Sequence, residues 1–184
     1  LFSGDKLLGG PQCGILVGRR ATIDTIAKHP LMRALRVDKM TLAALAATLR
    51  LWQNEEQRRH SIPLLTLLTT PAANLRNRAE RLAPQLAALP AVAKAVVCED
   101  QTYLGGGSVP TQAIPTWCVA LEPARGTARA LADALRRGRL PVVGRIQRDQ
   151  LLFDLRSVPP RDDAALLEAV AALAPPVSSE ATTS

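Results

Sequence analysis

Cysteine is scarce in this chain. Cys13, Cys98 and Cys118 lie far apart, and none belongs to a C-x-x-C pair. That spacing excludes a zinc ribbon and a disulfide framework, so no metal site is expected. Each cysteine has an apolar neighbour and reads as a small core residue. An odd, unpaired set suits a reducing cytoplasm. Long apolar runs are missing too. No stretch is long enough to span a membrane and no signal peptide is visible, so no membrane partner is expected. Lysine is rare, with 4 against 19 arginines in 184 residues. The net charge of +7 is therefore an arginine charge, and +5 of it falls within residues 1–60. This excess fits an anionic ligand such as phosphate or RNA, and also fits an ordinary arginine-rich surface. With 47% hydrophobic residues, the chain can fill one ordinary core or two small ones.

One of the four lysines stands out. Ser3-Gly4-Asp5-Lys6-Leu7-Leu8-Gly9-Gly10-Pro11-Gln12 sets Lys6 among small and turn-forming residues, ahead of the apolar Ile15-Leu16-Val17. The glycines and proline force a turn and let backbone approach a ligand closely. A lysine held there is either an ordinary solvated amine or an amine for covalent chemistry with a carbonyl. Asp5 is placed to tune Lys6 electrostatically, and a turn-forming aspartate accounts for it equally well. Further on, Arg33 and Arg36 are three apart. On a helix this puts both guanidinium groups on one face, suited either to forked bonds with phosphate-like oxygens or to solvent.

The remaining elements follow from periodicity and punctuation. Residues 13–17 read as a short buried strand and 22–28 as a short helix with Ile23 and Ile26 on one face. Residues 38–52 form the clearest helix, capped by Asp38 or Thr41, with Leu42, Leu45, Leu49 and Trp52 at helical spacing. Trp52 reads as a packed aromatic and His60 as a surface histidine. Thr70-Pro71 starts another helix with Leu75, Leu82, Leu86 and Leu89 inside; Arg76, Arg78, Glu80 and Arg81 are expected to face away, and Pro84 to kink it. Strands follow over 92–99 and 116–121, a helix over 127–137, strands over 141–146 and 151–156, and a last helix from Asp162-Asp163. From Thr70 onward this order predicts helices layered on a small, largely antiparallel α+β sheet. Gly105-Gly106-Gly107-Ser108 runs toward a strand rather than a helix, so it is a poor phosphate loop and a weak site candidate.

The phrase SGDKLLGGPQ, with Gly14-Ile15-Leu16-Val17-Gly18 and His29-Pro30-Leu31-Met32-Arg33-Ala34-Leu35-Arg36-Val37-Asp38-Lys39-Met40-Thr41-Leu42, closely resembles the lysine segment of the bacterial L-seryl-tRNA(Sec) selenium transferases. Weaker echoes reach Asp154-Leu155-Arg156. The resemblance implies an α/β chain that is the C-terminal part of a fold-type I pyridoxal-phosphate transferase. Residues 1–69 would be the end of the large domain with an interdomain helix, 70–176 the small α+β domain, and 177–184 a disordered tail. It implies that Lys6 holds pyridoxal 5′-phosphate as an internal aldimine, and that Arg33 and Arg36 hold the selenophosphate anion. It implies a reaction from L-seryl-tRNA(Sec) to L-selenocysteinyl-tRNA(Sec), in a cytoplasmic homo-oligomer built from dimers. Many fold-type relatives carry a carboxylate-binding arginine in the small domain, for which Arg145 and Arg156 are the candidates. With Leu1 only five residues ahead of Lys6, the chain reads as a C-terminal fragment, expected to be inactive alone. Two other readings stay open: a related pyridoxal-phosphate lyase acting on a sugar acid or amino acid, and a non-catalytic RNA-binding or assembly fragment.

Overall fold

The computed structural model describes residues 1–103 and 113–173, which divide into two compact units, Leu1–Thr69 and a second that begins at Thr70. The glycine-rich Gly105–Ser108 candidate and the expected tail at 177–184 lie outside the described residues. The chain is mixed α/β.

The first unit opens with a two-stranded antiparallel ribbon, β1 (Phe2–Ser3) and β2 (Gly14–Ile15), pairing Phe2 with Ile15 and Ser3 with Gly14. The expected buried strand over 13–17 is thus corrected to two residues, and Val17 is 71% exposed. The apolar run is there, but the unit brings nothing over it. Five helices follow: α1 (Arg20–Lys28), α2 (Met32–Leu35), α3 (Lys39–Trp52), α4 (Glu55–Ser61) and α5 (Pro63–Thr69). Asp38 caps α3, accepting from the Thr41 N–H, and Asn54 caps α4 in the same way through Gln57. Pro63 is the first residue of α5, where its missing N–H costs nothing. None of these helices buries a residue fully, and Leu35, Met40, Leu42 and Leu49 stay exposed.

The second unit has its own core. Its sheet runs β3-β4-β6-β5 and is antiparallel throughout: β3 (Val92–Tyr103), β4 (Ala113–Pro123), β5 (Arg145–Gln147) and β6 (Gln150–Asp154). Helices α6 (Ala72–Ala87), α7 (Ala128–Arg137) and α8 (Asp163–Ala171) complete it. Leu75, Ala79, Leu82 and Leu86 of α6 meet Val119, Leu121, Leu151 and Phe153 of the sheet, with Leu135 of α7 and Val170 of α8 in the same cluster. Each such large side chain contributes roughly 1.5–3 kcal/mol on burial. β5 and β6 join through a two-residue turn in which Arg148 and Asp149 both have positive φ, 50° and 59°, the hairpin geometry that matches strand twist.

Three local expectations are corrected here. Strand 141–146 reduces to Arg145–Gln147, and α6 starts one residue late, with Pro71 rather than Thr70 at the N-cap position. The third concerns Arg78, which points inward. Its guanidinium donates to Leu155 O (3.1 Å), Val158 O (3.0 Å) and both carboxylate oxygens of Asp163 (3.3 and 2.5 Å). The position lies three residues after Leu75 and is therefore on the buried stripe. A capping hydroxyl holds α7 as well: Thr127 Oγ1 accepts from the Ala130 N–H at 3.2 Å. Thr127→Ala should cost the second unit about 1 kcal/mol in urea melts, and an unchanged midpoint would show that the cap is dispensable.

Candidate functional site

The lysine loop is closed by its own backbone. Gly4 N–H donates to Cys13 O (2.8 Å), Gly10 N–H to Gly4 O (2.8 Å) and Gly9 N–H to Lys6 O (3.0 Å). Gly9 has φ +69°, and a Cβ there would sit 2.6 Å from Cγ2 of Ile62, which is itself only 2% exposed. A Cβ on Gly4 would meet Cys13 Sγ at 2.5 Å and Pro11 O at 2.7 Å. The motif's glycines are thus required by a loop folded tightly on itself. Helix α3 braces it from outside: Trp52 Nε1–H donates to Leu8 O at 3.1 Å, and the Arg58 guanidinium lies 5.5 Å from the Trp52 ring centre. Sequence reading took Trp52 as packing alone. The available signal was its indole N–H, a donor that needs an acceptor when partly buried. Gly9→Ala should destabilise the loop by about 1–2 kcal/mol from backbone handedness alone, with the Ile62 clash added. Gly14→Ala, with nothing within 4 Å of its Cβ, is the control for the same thermal melt. Equal effects would show that the loop is not closed in this way.

Lys6 projects from this frame. Its side chain is 74% exposed, and Nζ lies 3.5 Å from Asp5 Oδ2. Asp5 Oδ1 accepts from Ser3 Oγ at 2.5 Å. The Ser3 hydroxyl holds the Asp5 carboxyl below its ordinary value; slight desolvation opposes this and the Lys6 charge adds to it. Asp5 is therefore charged beside Lys6 at neutral pH. Lys6 lines an open depression of about 560 Å³ with Ser3, Asp5, Gln12 and Cys13, bounded by Leu1 and Gly14.

Leu1 and Gly14 also line a larger groove of about 830 Å³ that contains Arg36, Asp38 and Lys39 against Leu16, Met32, Leu35 and Leu42. The ribbon thus joins the lysine depression to the arginine groove. Arg33 lies in the single turn of α2 and Arg36 closes it, its N–H donating to Met32 O. Both are exposed. Among the described residues, the ion pairs of Leu1–Thr69 use Lys6, Arg20, Arg58 and Arg59, leaving Arg33 and Arg36 without one.

The second unit's candidates separate clearly. Arg156 is buried and holds backbone, donating to Thr70 O (2.9 Å) and Pro115 O (2.7 Å). Burial pulls its pKa down, against the neighbouring Asp154 charge. Those bonds give it a structural task, holding the backbone at Thr70 and Pro115. Arg145 is half exposed and paired with Asp100, beside a polar depression of about 480 Å³ that includes Glu99, Gln101 and Gln147. Cys118 faces Cys98 across the strands; burial first, then nearby Asp154, pushes its thiol up to about 12, so it is inert at neutral pH. Among the described residues, no group of three or more histidine, cysteine or acidic side chains could hold a metal, and no helix is long and apolar enough to cross a membrane.

A braced turn thus presents an exposed amine beside a groove lined by cations that have no ion pair among the described residues. The chain belongs to the SelA family, L-seryl-tRNA selenium transferase, whose profile matches residues 1–159. It is similar to the L-seryl-tRNA(Sec) selenium transferase of Moorella thermoacetica, at 45% identity over 170 residues that cover 92% of this chain and 36% of that protein. The enzyme of that name from Klebsiella pneumoniae is 48% identical over 170 residues, covering 91% and 36%. The one from Aquifex aeolicus is 46% identical over 156 residues, covering 85% and 34%. The chain thus spans about a third of the length of these relatives.

Proposed function

We propose that this chain supplies the lysine-bearing and anion-binding part of a transferase that converts L-seryl-tRNA(Sec) to L-selenocysteinyl-tRNA(Sec), with selenophosphate as donor and pyridoxal 5′-phosphate as cofactor. In this reading Leu1–Thr69 is the end of the large domain of a fold-type I enzyme, and the unit from Thr70 is its small domain. The assembly would be a cytoplasmic homo-oligomer built from dimers. The observation that carries the reading is the adjoining of an exposed Lys6 amine and a groove whose arginine has no acid partner.

The residues present fit the covalent end of the cofactor. Lys6 Nζ has one neighbouring acid at 3.5 Å and an open depression in front of it. Lys6 would hold the cofactor through its aldehyde carbon, and bound pyridoxal phosphate would supply the electron sink for charge developing at the seryl α-carbon. A free Lys6 amine would take the α-proton onto Nζ, so that the β-hydroxyl can leave as hydroxide. Asp5, fixed by Ser3, holds the ammonium so formed close to where it was generated. Arg33 and Arg36 bind and orient the donor's oxygens, as planar forks suited to phosphate-like groups.

The test uses the holoenzyme carrying this segment. A charge-assisted forked contact is worth about 1.5–3 kcal/mol, so Arg33→Ala or Arg36→Ala should raise the donor's dissociation constant roughly 10- to 150-fold. Arg33→Lys should recover part of this, keeping charge without the fork. Cofactor absorbance and loss of hydroxide from seryl-tRNA should survive, since neither needs the donor. Unchanged donor affinity in all three variants would return both arginines to the solvated surface.

A further inference from the structure

The groove beside the ribbon holds one more cation that this reading leaves unused. Lys39 opens α3 and lines the same groove of about 830 Å³ as Arg36, three residues along the chain across the non-helical link between α2 and α3. Its side chain is exposed. A single carboxylate, Asp38, shares the groove, and both its oxygens are already engaged. Oδ1 accepts from the Thr41 N–H and Oδ2 from the Thr41 hydroxyl, each at 2.9 Å. Those two bonds, the backbone one first, hold the Asp38 carboxyl below its ordinary value. Asp38 therefore stays ionised as a helix cap, and among the described residues no ion pair joins it to Arg36 or Lys39. The ion pairs of this unit, among the described residues, involve Lys6, Arg20, Arg58 and Arg59.

Arg36 and Lys39 are exposed cations on one groove whose wall also carries Leu16, Met32, Leu35 and Leu42, so an anion entering the groove meets both charges. Arg36 supplies a planar fork, while Lys39 supplies a compact charge on a flexible stem that can follow an oxygen the fork does not reach. We propose that Lys39 is a third cation of the anion site, its ammonium donating to an oxygen of the phosphate group held by Arg36. The inference rests on the donor-binding reading of Arg33 and Arg36.

The experiment measures the dissociation constants of inorganic phosphate and of selenophosphate for the holoenzyme by calorimetry, with tRNA affinity measured alongside. Lys39→Gln should weaken both small anions about 10-fold, the low end for a charge-assisted contact at an exposed site. Lys39→Arg should stay close to the parent. Lys28→Gln, an exposed lysine at the end of α1 outside the groove, should change nothing. Unchanged phosphate and selenophosphate binding in Lys39→Gln, with Arg36→Ala still weakened, would overturn the inference and leave the donor reading standing. Weakened tRNA binding with unchanged phosphate binding would also overturn it, assigning the charge to RNA instead.

Discussion

Lys6→Ala and Lys6→Arg holoenzymes are expected to lose covalent capture of pyridoxal phosphate and all measurable turnover. Arginine keeps the positive charge but is not a nucleophile, so it separates amine chemistry from electrostatics. Proton transfer by a positioned amine is by itself worth roughly 10²- to 10⁴-fold, and loss of the attachment point adds to that. Folding should be spared: the Lys6 side chain is 74% exposed and, among the described residues, its ion pair is the 3.5 Å contact with Asp5. The other lysines are poor substitutes. Lys28 ends α1, Lys39 opens α3, and Lys94 lies on β3 within 4.0 Å of Glu122. Thermal melts matching the parent, with no cofactor absorbance, are the combined expectation. Retained absorbance in Lys6→Arg would remove the lysine from its role.

The second large effect is on stability. Asp163→Ala should destabilise the second unit by about 3–5 kcal/mol, because it strands the Arg78 charge in the core. The side chains of Arg78 and Asp163 are 9% and 12% exposed, and the pair links α6 to the start of α8 while Arg78 also holds the carbonyls of Leu155 and Val158. Arg81 reaches the same carboxylate at 2.9 Å, but its side chain is 63% exposed, so Arg81→Ala should cost no more than about 1 kcal/mol. Urea denaturation of the three proteins gives the comparison. Similar losses for Asp163→Ala and Arg81→Ala would mean that the buried pair is solvated after all.

The second unit was largely legible because its elements bury their own faces. Period and punctuation gave the helix, strand, strand, helix, strand, strand, helix order, and the polar turn at Gln147–Gln150 became a two-residue hairpin. Charge alone argues for an exposed Arg78, but its spacing from Leu75 puts it on the inward stripe, and the partner that makes this tolerable, Asp163, is 85 residues away. In the first unit α3 is legible, with its Asp38 cap, but its apolar stripe is not a core: Leu42 and Leu49 are exposed, since nothing among the described residues of that unit covers them. At the site, Lys6, Arg33 and Arg36 were legible from the resemblance. The joining of the Lys6 depression to the Arg36 groove through Leu1 and Gly14, and the bracing of the loop by Trp52 and Ile62, depend on contacts between segments apart in sequence that no local pattern encodes.

The identity of the cofactor-bearing lysine is tested most directly by borohydride reduction of the holoenzyme followed by peptide mapping. The pyridoxyl group should be found on Lys6, within the peptide containing Leu7-Leu8-Gly9-Gly10. An adduct on Lys28, Lys39 or Lys94, with Lys6 unmodified, would contradict the assignment.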